Sequence, residues 1–538
     1  MTHCGVHSRR KFLLCGLLVS ATSPAYASSS FDFHANDPGF NGGVALDDRF
    51  ATGPDTPHYA EKIVALPNGE VVVAGLVPTA SQTGNIVGGN IGLVHYAQDG
   101  ARIGWANPGA GYASYFNIYI TYPNSALSTY SHIADMKVVG DYIYVLADYA
   151  SGSSDKDVHV IVFGTDGHFI GAYAAFTTGL YEFGAGLVPY HYTLIIGGVP
   201  KTFTKLIAVA TYNSGNVVEP NNTQVPHWVV TMKRFSMGDG GTLSVDNTFG
   251  HIGNGAIDQP LPVDFCNSDT TNRCSGSAAY VSGARTDTGT PTLYVLGNLA
   301  IANNKTDVFV MAVDGSSGDL LPAFGTGGIY DQSVQYGSSY FGFVNYAGPA
   351  KGIRLGAGAD PGGDLLYVAT ADNAYVSCSD NGAAIYKLRA NAGPPFNSTL
   401  PDFSWAVGGK ATVAAPPQCD PAANSAASLR AAGIADDGSR IAVVGVNGGG
   451  DAVLSLVRLA DGKTTEFSVH PWLRSDGSRW AGNNVANGLD SGFNDVVSAG
   501  NNRWTATGTM CDSTAAVACA LFGTTRLYSD EIFGDGFN

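Results

Sequence analysis

Across residues 61–103 the apolar positions fall into short runs, each cut by turn residues. Lys62-Ile63-Val64-Ala65-Leu66 gives way to Pro67-Asn68-Gly69, and the chain returns as Glu70-Val71-Val72-Val73-Ala74-Gly75. After a polar loop come Ile91-Gly92-Leu93-Val94-His95-Tyr96, the turn Asp99-Gly100, and Ala101-Arg102-Ile103. β-Branched runs broken by Asn-Gly and Asp-Gly predict successive hairpins, because glycine supplies the positive φ of a tight hairpin turn.

The same unit recurs down the chain. Ile143-Tyr144-Val145-Leu146-Ala147 repeats residues 71–75, as do 206–210, 293–297, 365–369, 441–445 and 504–508. Successive copies are spaced by about 63 to 86 residues. Most copies have a second half. Residues 158–163 precede Asp166-Gly167, 228–235 precede Asp239-Gly240, 308–313 precede Ser317-Gly318, and 453–459 precede Asp461-Gly462. Residues 384–388 precede a turn at Gly393, and 518–522 serve the last copy. Each unit thus supplies about four strands. A lone four-stranded sheet cannot bury both faces, whereas a ring of such sheets can. The expected fold is all-β: one repeat domain over residues 28–528, a β-propeller of seven four-stranded blades. Six or eight blades stay open, because the third copy is irregular. Residues 31–33 or 44–46 are expected to complete the last blade beside 518–522, with 527–533 competing for that place.

Three recurring elements carry a family resemblance. Asp37-Pro38-Gly39-Phe40-Asn41-Gly42-Gly43-Val44, Pro322-Ala323-Phe324-Gly325-Thr326-Gly327-Gly328-Ile329 and the worn Trp405-Ala406-Val407-Gly408-Gly409-Lys410 form the first. Residues 67–75 and 437–445 form the second, and Val457-Arg458-Leu459-Ala460-Asp461-Gly462 the third. Together they resemble the delta-60 repeat family of bacterial propeller-like proteins. That resemblance spans most of the chain and implies the fold. It brings no catalytic motif with it. The second and third copies depart most, through aromatic insertions. Residues 532–538, Ile-Phe-Gly-Asp-Gly-Phe-Asn, resemble a short C-terminal element of exported Gram-negative proteins; within the tail 529–538 they are read as a sorting signal or a closing strand end.

The N-terminus changes the expected location. Ser8-Arg9-Arg10-Lys11-Phe12-Leu13, a short apolar run and Ala25-Tyr26-Ala27 read as a signal peptide over residues 1–27. The paired arginines look like a twin-arginine signal, with a Sec signal as the alternative. The protein is therefore expected in the periplasm, at the surface or outside a Gram-negative bacterium. The whole chain carries a formal charge of −16, and the processed one about −19, which disfavours nucleic acid as a partner. Past the N-terminus no apolar run is long enough for a transmembrane helix. Charged residues make up only 13% while glycines number 70, which suits a turn-dense β protein. Six cysteines would remain after cleavage. Proximity pairs Cys266 with Cys274 and Cys511 with Cys519, leaving Cys378 with Cys419; other pairings stay open.

Candidate chemistry is sparse. No Asp-x-Asp-x-Asp-Gly calcium loop, Gly-x-Ser-x-Gly elbow or Cys-x-x-Cys-His haem site occurs, so no cofactor or metal is expected. His58, His132, His191, Lys351, Arg430 and Asp495 fall where the innermost strands of the blades should begin, the usual place for a propeller ligand. The histidines could converge as acid and base; the plainer reading is that they are solvated or cap loops. Residues 112–130 are rich in tyrosine, and Tyr115 and Tyr119 could form a stacking platform for sugar rings or else a packed blade face. Tyr181, Phe183, Tyr190 and Tyr192 pose the same choice. The expected function is a monomeric, non-catalytic binding module for a glycan or a cell-envelope protein. The alternative is a secreted polysaccharide lyase or hydrolase with its site at the channel mouth.

Overall fold

The computed structural model describes residues 39–41, 46–48, 59–78, 89–105, 113–115, 119–122, 130–150, 156–180, 182–218, 224–251, 255–260, 279–286, 292–301, 305–325, 327–331, 353–355, 365–373, 381–389, 402, 404–407, 409–413, 429–447, 452–470, 492–500, 502–510 and 521–528. The expected signal peptide, the C-terminal tail, all six cysteines, His58 and Lys351 lie outside them, as do the side chains of Tyr115, Tyr119 and Arg430.

The described chain is all-β, with one short 3-10 turn and no α-helix among its residues. After β1 (Leu46–Asp48) comes a unit of β2 (Tyr59–Ala65), β3 (Val71–Pro78) and β4 (Gly89–Tyr96). The hairpin of β5 (Ala113–Tyr115) and β6 (Tyr119–Tyr122) extends it, in the order β2-β3-β4-β6-β5. A second unit holds β7 (Tyr130–Val139), β8 (Tyr142–Ala150), β9 (Lys156–Gly164) and β10 (Phe169–Phe176) in sequence order. One residue pair, Gly89 with Tyr130, joins these two units into a single sheet. The next sheet comprises β11 (Glu182–Ile196), β12 (Val199–Val218), β13 (Gln224–Met237) and β14 (Leu243–Val245), with β15 (Ala256–Pro260) also on β13.

Three four-stranded sheets follow, each in sequence order. They are β16 (Ala279–Thr286) to β19 (Ile329–Asp331) through β17 (Thr292–Ile301) and β18 (Lys305–Asp314); β20 (Ile353–Leu355) to β23 (Lys410–Thr412) through β21 (Leu365–Asn373) and β22 (Asn381–Arg389); and β24 (Leu429–Asp436) to β27 (Thr464–His470) through β25 (Arg440–Asn447) and β26 (Ala452–Arg458). The last sheet has β28 (Phe493–Gly500), β29 (Arg503–Met510) and β30 (Leu521–Tyr528), and β1 returns to its edge with Leu46 opposite Thr524. Of the segments expected to compete for this edge, 44–46 shares Leu46 with β1 and 527–533 shares Leu527 and Tyr528 with β30, so within the described residues the two are neighbouring strands of one sheet; residues 31–33 lie outside the described residues.

The burial explains the pattern. Second strands such as β8, Tyr-Ile-Tyr-Val-Leu-Ala-Asp-Tyr-Ala, are buried on both faces, so they read as continuous apolar runs rather than alternating ones. Each apolar cluster bridges two neighbouring sheets or units. Val72 and Leu93 meet Val145 and Phe163; Leu146 and Val160 meet Leu206 and Phe235; Val209 and Met232 meet Val295 and Met311. Tyr294 meets Leu388, Ile385 meets Val443, and Val444 meets Trp504. Finally Phe522 packs with Ala60, Val73 and Val94, bringing the last sheet onto the first unit. The first strands touch in the same succession, β2, β7, β11, β16, β20, β24 and β28, and β28 touches β2.

A second device ties neighbouring units. Trp105, after the first unit, lies against the Asp166-Gly167 turn of the second; a Cβ at Gly167, whose φ is +94°, would come within 2.6 Å of its ring. Phe249 meets Gly318, Trp405 meets Gly462, and Phe40 meets Gly100 in the same way. The repeat's aromatic and its Asp-Gly turn are thus two halves of one contact between units. Phe40 stands at the N-terminal side of β1 and reaches the first unit, where Asn41 N–H donates to Asp99 O at 2.7 Å. The Arg526 guanidinium of β30 covers the Phe40 ring at 4.8 Å and donates to Gln98 O.

Candidate ligand-binding site

The first strands carry a bulge at a shared position. The register slips between Ala60 and Lys62, Ile133 and Asp135, Gly184 and Gly186, Val281 and Gly283, Ala431 and Gly433, and Phe493 and Asp495. The residues facing the start of each slip are Gly75, Ala147, Ala210, Gly297, Gly445 and Gly508, the last residue of each repeat copy noted above. A bulge bends its strand and re-aims the adjoining side chains. In three of these strands the re-aimed side chains are charged.

Those side chains knit one sector together. Asp495 Oδ2 of β28 accepts from Ile63 N–H of β2 at 3.1 Å. Glu61 of β2 accepts from Ile133 N–H of β7. Asp135 Oδ2 of β7 accepts from Leu187 N–H of β11 at 2.9 Å. On β8, Asp148 Oδ1 accepts from Gly184 N–H of β11 at 2.7 Å, and its other oxygen stands 3.8 Å from His132 Nδ1. Asn494 Nδ2 adds a bond to Ala60 O at 2.6 Å. Each link runs from a carboxylate or amide to the main chain of the next unit.

Two ammonium groups balance the carboxylates. Lys137 Nζ lies 2.5 Å from Asp135 Oδ1, and the Lys62 charge favours the ionised form of Glu61, Asp135 and Asp495 alike. Burial pushes the carboxyls of Glu61 and Asp495 above the ordinary range; His132 and Lys62 oppose this at Glu61, and Lys62 at Asp495. Burial also works on Asp135, but Lys137 and Lys62, helped by the Leu187 amide, hold it below that range. The sector therefore sets two carboxyls with raised pKa beside one whose pKa is lowered. It offers hydrogen-bond donors and acceptors of both charges. Among the described residues no three His, Cys, Asp or Glu side chains are arranged to hold a metal ion.

The structure disperses the residues expected to share one site. Asp495 and His132 do fall in this sector. Arg430 occupies the start of β24, opposite Val446 and just before that strand's bulge. His191 stands seven residues beyond Gly184 along β11, about 23 Å further at strand spacing, with its Nδ1 on Thr204 Oγ1 at 2.9 Å. It therefore belongs to the far end of the first strand, not to its beginning. Tyr115 and Tyr119 face each other across the β5–β6 hairpin. That hairpin is three strands from β2, about 14 Å across the sheet. Sequence reasoning passed over Glu61, Lys62, Asp135, Lys137 and Asp148. Their signal is a charge one or two places from a bulge, visible only once the register is known.

No family model and no curated protein matches this chain. Solved structures give distant likenesses. A protein of unknown function from Dyadobacter fermentans is 12% identical, with a TM-score of 0.35 over 90% of this chain and 99% of that one. The Hadza microbial sialidase Hz136 is 10% identical, TM-score 0.35, over 82% and 73%. The intramolecular trans-sialidase from Ruminococcus gnavus, solved with oseltamivir carboxylate, is 11% identical, TM-score 0.33, over 88% and 95%. At these levels the likenesses supply no residue-by-residue correspondence.

Proposed function

We propose that this chain is an exported β-propeller of seven delta-60-like blades that binds a hydroxyl-rich ligand, a glycan or a glycan-bearing envelope protein, where the first strands begin. The reading takes residues 1–27 as a removed signal peptide, 28–528 as the propeller and 529–538 as a tail, with the three cysteine pairs oxidised. Seven blades and a closed ring are supported by the apolar clusters between successive units and by the pairing of β1 with β30. One observation carries binding over catalysis. Glu61, Asp135 and Asp495 each already accept a main-chain N–H of the neighbouring unit, so these groups are committed to holding the scaffold that a ligand would meet. Lys62, Lys137 and His132 complete the surface.

A glycan array followed by calorimetry tests this. Lys62→Ala with His132→Ala should abolish binding while the variant still melts cooperatively as a folded protein. Undiminished affinity in that double variant would reject the location. A second reading, a hydrolase, is favoured by the burial that raises the carboxyl pKa of Glu61 and Asp495, since a carboxyl with a raised pKa suits a general acid. Turnover of a polysaccharide that disappears in Glu61→Gln would replace the first reading with this one.

A further inference from the structure

β11 and β12 outrun the rest of their sheet. β13 pairs with β12 only as far as Lys205, opposite Ser236. Beyond it the two strands continue as a ribbon from the Tyr190–Lys205 pair to the Ile196–Val199 pair, about 20 Å of projection. Gly197 and Gly198, with φ of +61° and +80°, close it; two successive positive φ values give the turn whose twist matches such a ribbon.

The ribbon's polarity changes along its length. One face of the shaft is aromatic, with Tyr192 stacked on Phe203 at 5.5 Å. The other is polar, with His191 opposite Thr204 and Thr193 opposite Thr202. At the tip both faces become apolar: Ile196 and Val199 on one, Ile195 and Pro200 on the other. Ile195 is 77% exposed, Val199 58% and Leu194 48%. A flat protein surface would cover only one of these faces. A medium that surrounds the tip covers both. Charge points the same way. The sequence has no Asp or Glu between Glu182 and Glu219 in a chain of net charge −16, while exposed Lys201 sits opposite Leu194 just behind the tip. A lysine there can lie along the apolar surface and keep its ammonium at headgroup level.

We propose that the β11–β12 hairpin docks the protein on an anionic lipid bilayer, with residues 194–200 at the headgroup–acyl boundary and Lys201 among the phosphates. Insertion is shallow, because the unpaired edges of a two-stranded ribbon cannot leave water. The site lies at the opposite end of the first strands from Glu61 and Lys62, so docking leaves the ligand face directed away from the lipid and does not depend on the function proposed above.

The test uses the full processed protein. Co-sedimentation with vesicles of phosphatidylcholine containing about a third phosphatidylglycerol should be weakened about tenfold by combining Leu194→Ser, Ile195→Ser and Ile196→Ser. It should also be weakened by Lys201→Glu and by vesicles of phosphatidylcholine alone. Ile195→Trp places a reporter at the exposed tip; its emission should move to shorter wavelength on vesicle addition and be quenched by brominated lipid. Equal sedimentation of the wild type and the triple serine variant would overturn the proposal. So would an unshifted Ile195→Trp emission. A concentration-dependent dimer that the triple variant loses, with no vesicle binding, would assign the tip to a second copy of the chain instead.

Discussion

Asp246→Ala should be among the most damaging single substitutions in this protein. Asp246 is 5% exposed and pairs with two cations: Arg234 Nε at 2.7 Å and Lys205 Nζ. Its other oxygen accepts from Thr248 N–H at 3.1 Å and Thr248 Oγ1 at 2.6 Å. Arg234 is itself 4% exposed. It goes on to donate to Gly315 O at 2.8 Å and Ser316 O at 3.0 Å in the following sheet, and lies over the Phe249 ring at 4.8 Å. Removing the carboxylate leaves a buried guanidinium uncompensated, a loss of about 3–5 kcal/mol. For roughly 500 residues melting together at about 2.1 cal/mol/K each, that lowers the melting temperature by about 3–5 °C. Burial disfavours the Asp246 anion, but Lys205, Thr248 and Arg234 outweigh it and hold the carboxyl down to about 2 from 3.8. The native carboxyl thus releases its proton more readily than the unfolded one. The stabilisation, about 2.5 kcal/mol, is complete above pH 4 and lost as the pH falls through about 2. Differential scanning calorimetry of Asp246→Ala and of Asp246→Ala with Arg234→Met decides the matter. The double variant should melt above the single one, since it removes the orphaned charge. A single variant melting with the wild type, or a double variant melting below the single, refutes the reasoning.

Gly167→Ala should cost about 3 kcal/mol, because it combines a positive φ with a clash against Trp105, whereas Gly140→Ala, with φ of +59° and open space around it, should cost about 1 kcal/mol; urea titration of the two separates them. Deleting residues 1–48 removes β1 and Phe40 and bares the edge of β30, so the truncated chain should melt lower and aggregate with time on size exclusion; a monodisperse truncation with wild-type melting would contradict the role given to β1. His95 touches Glu70 at 2.7 Å, yet burial holds its pKa below the usual value. The unfolded histidine therefore takes up its proton first, and stability should decline as the pH drops below about 6.5, a decline that His95→Gln should flatten in melts recorded from pH 7 to 5.

The repeat was legible because one residue type was forced at one place. Gly75, Gly297, Gly445 and Gly508 face bulges, and an apolar run ending in a small residue marks each second strand. What escaped notice escaped for physical reasons. Asp246-Asn247-Thr248-Phe249-Gly250 is a copy of the first element, but its following glycines are displaced, and only the contact between Phe249 and Gly318 identifies it. Glu61 and Asp135 were passed over, since nothing in a linear pattern tells which main-chain amide a carboxylate will meet. The ribbon misled by its length. His191 lies near where an ordinary first strand would begin, and the extra residues of β11 carried it to the other end.

The pairing of β1 with β30 also has a temporal side. β1, the first of the described strands to leave the ribosome, waits for a partner roughly 470 residues downstream, about half a minute to a minute and a half of synthesis. Until then Phe40 has no Arg526 to cover it, and the sheet begun by β28 lacks its outermost member. β1 is among the last of the described strands to find its place, and until then the first unit lacks the cover that Phe522 gives to Ala60, Val73 and Val94. On the export proposed above, a cell making this protein has a strong reason to delay its passage across a membrane until β1 and β30 have met.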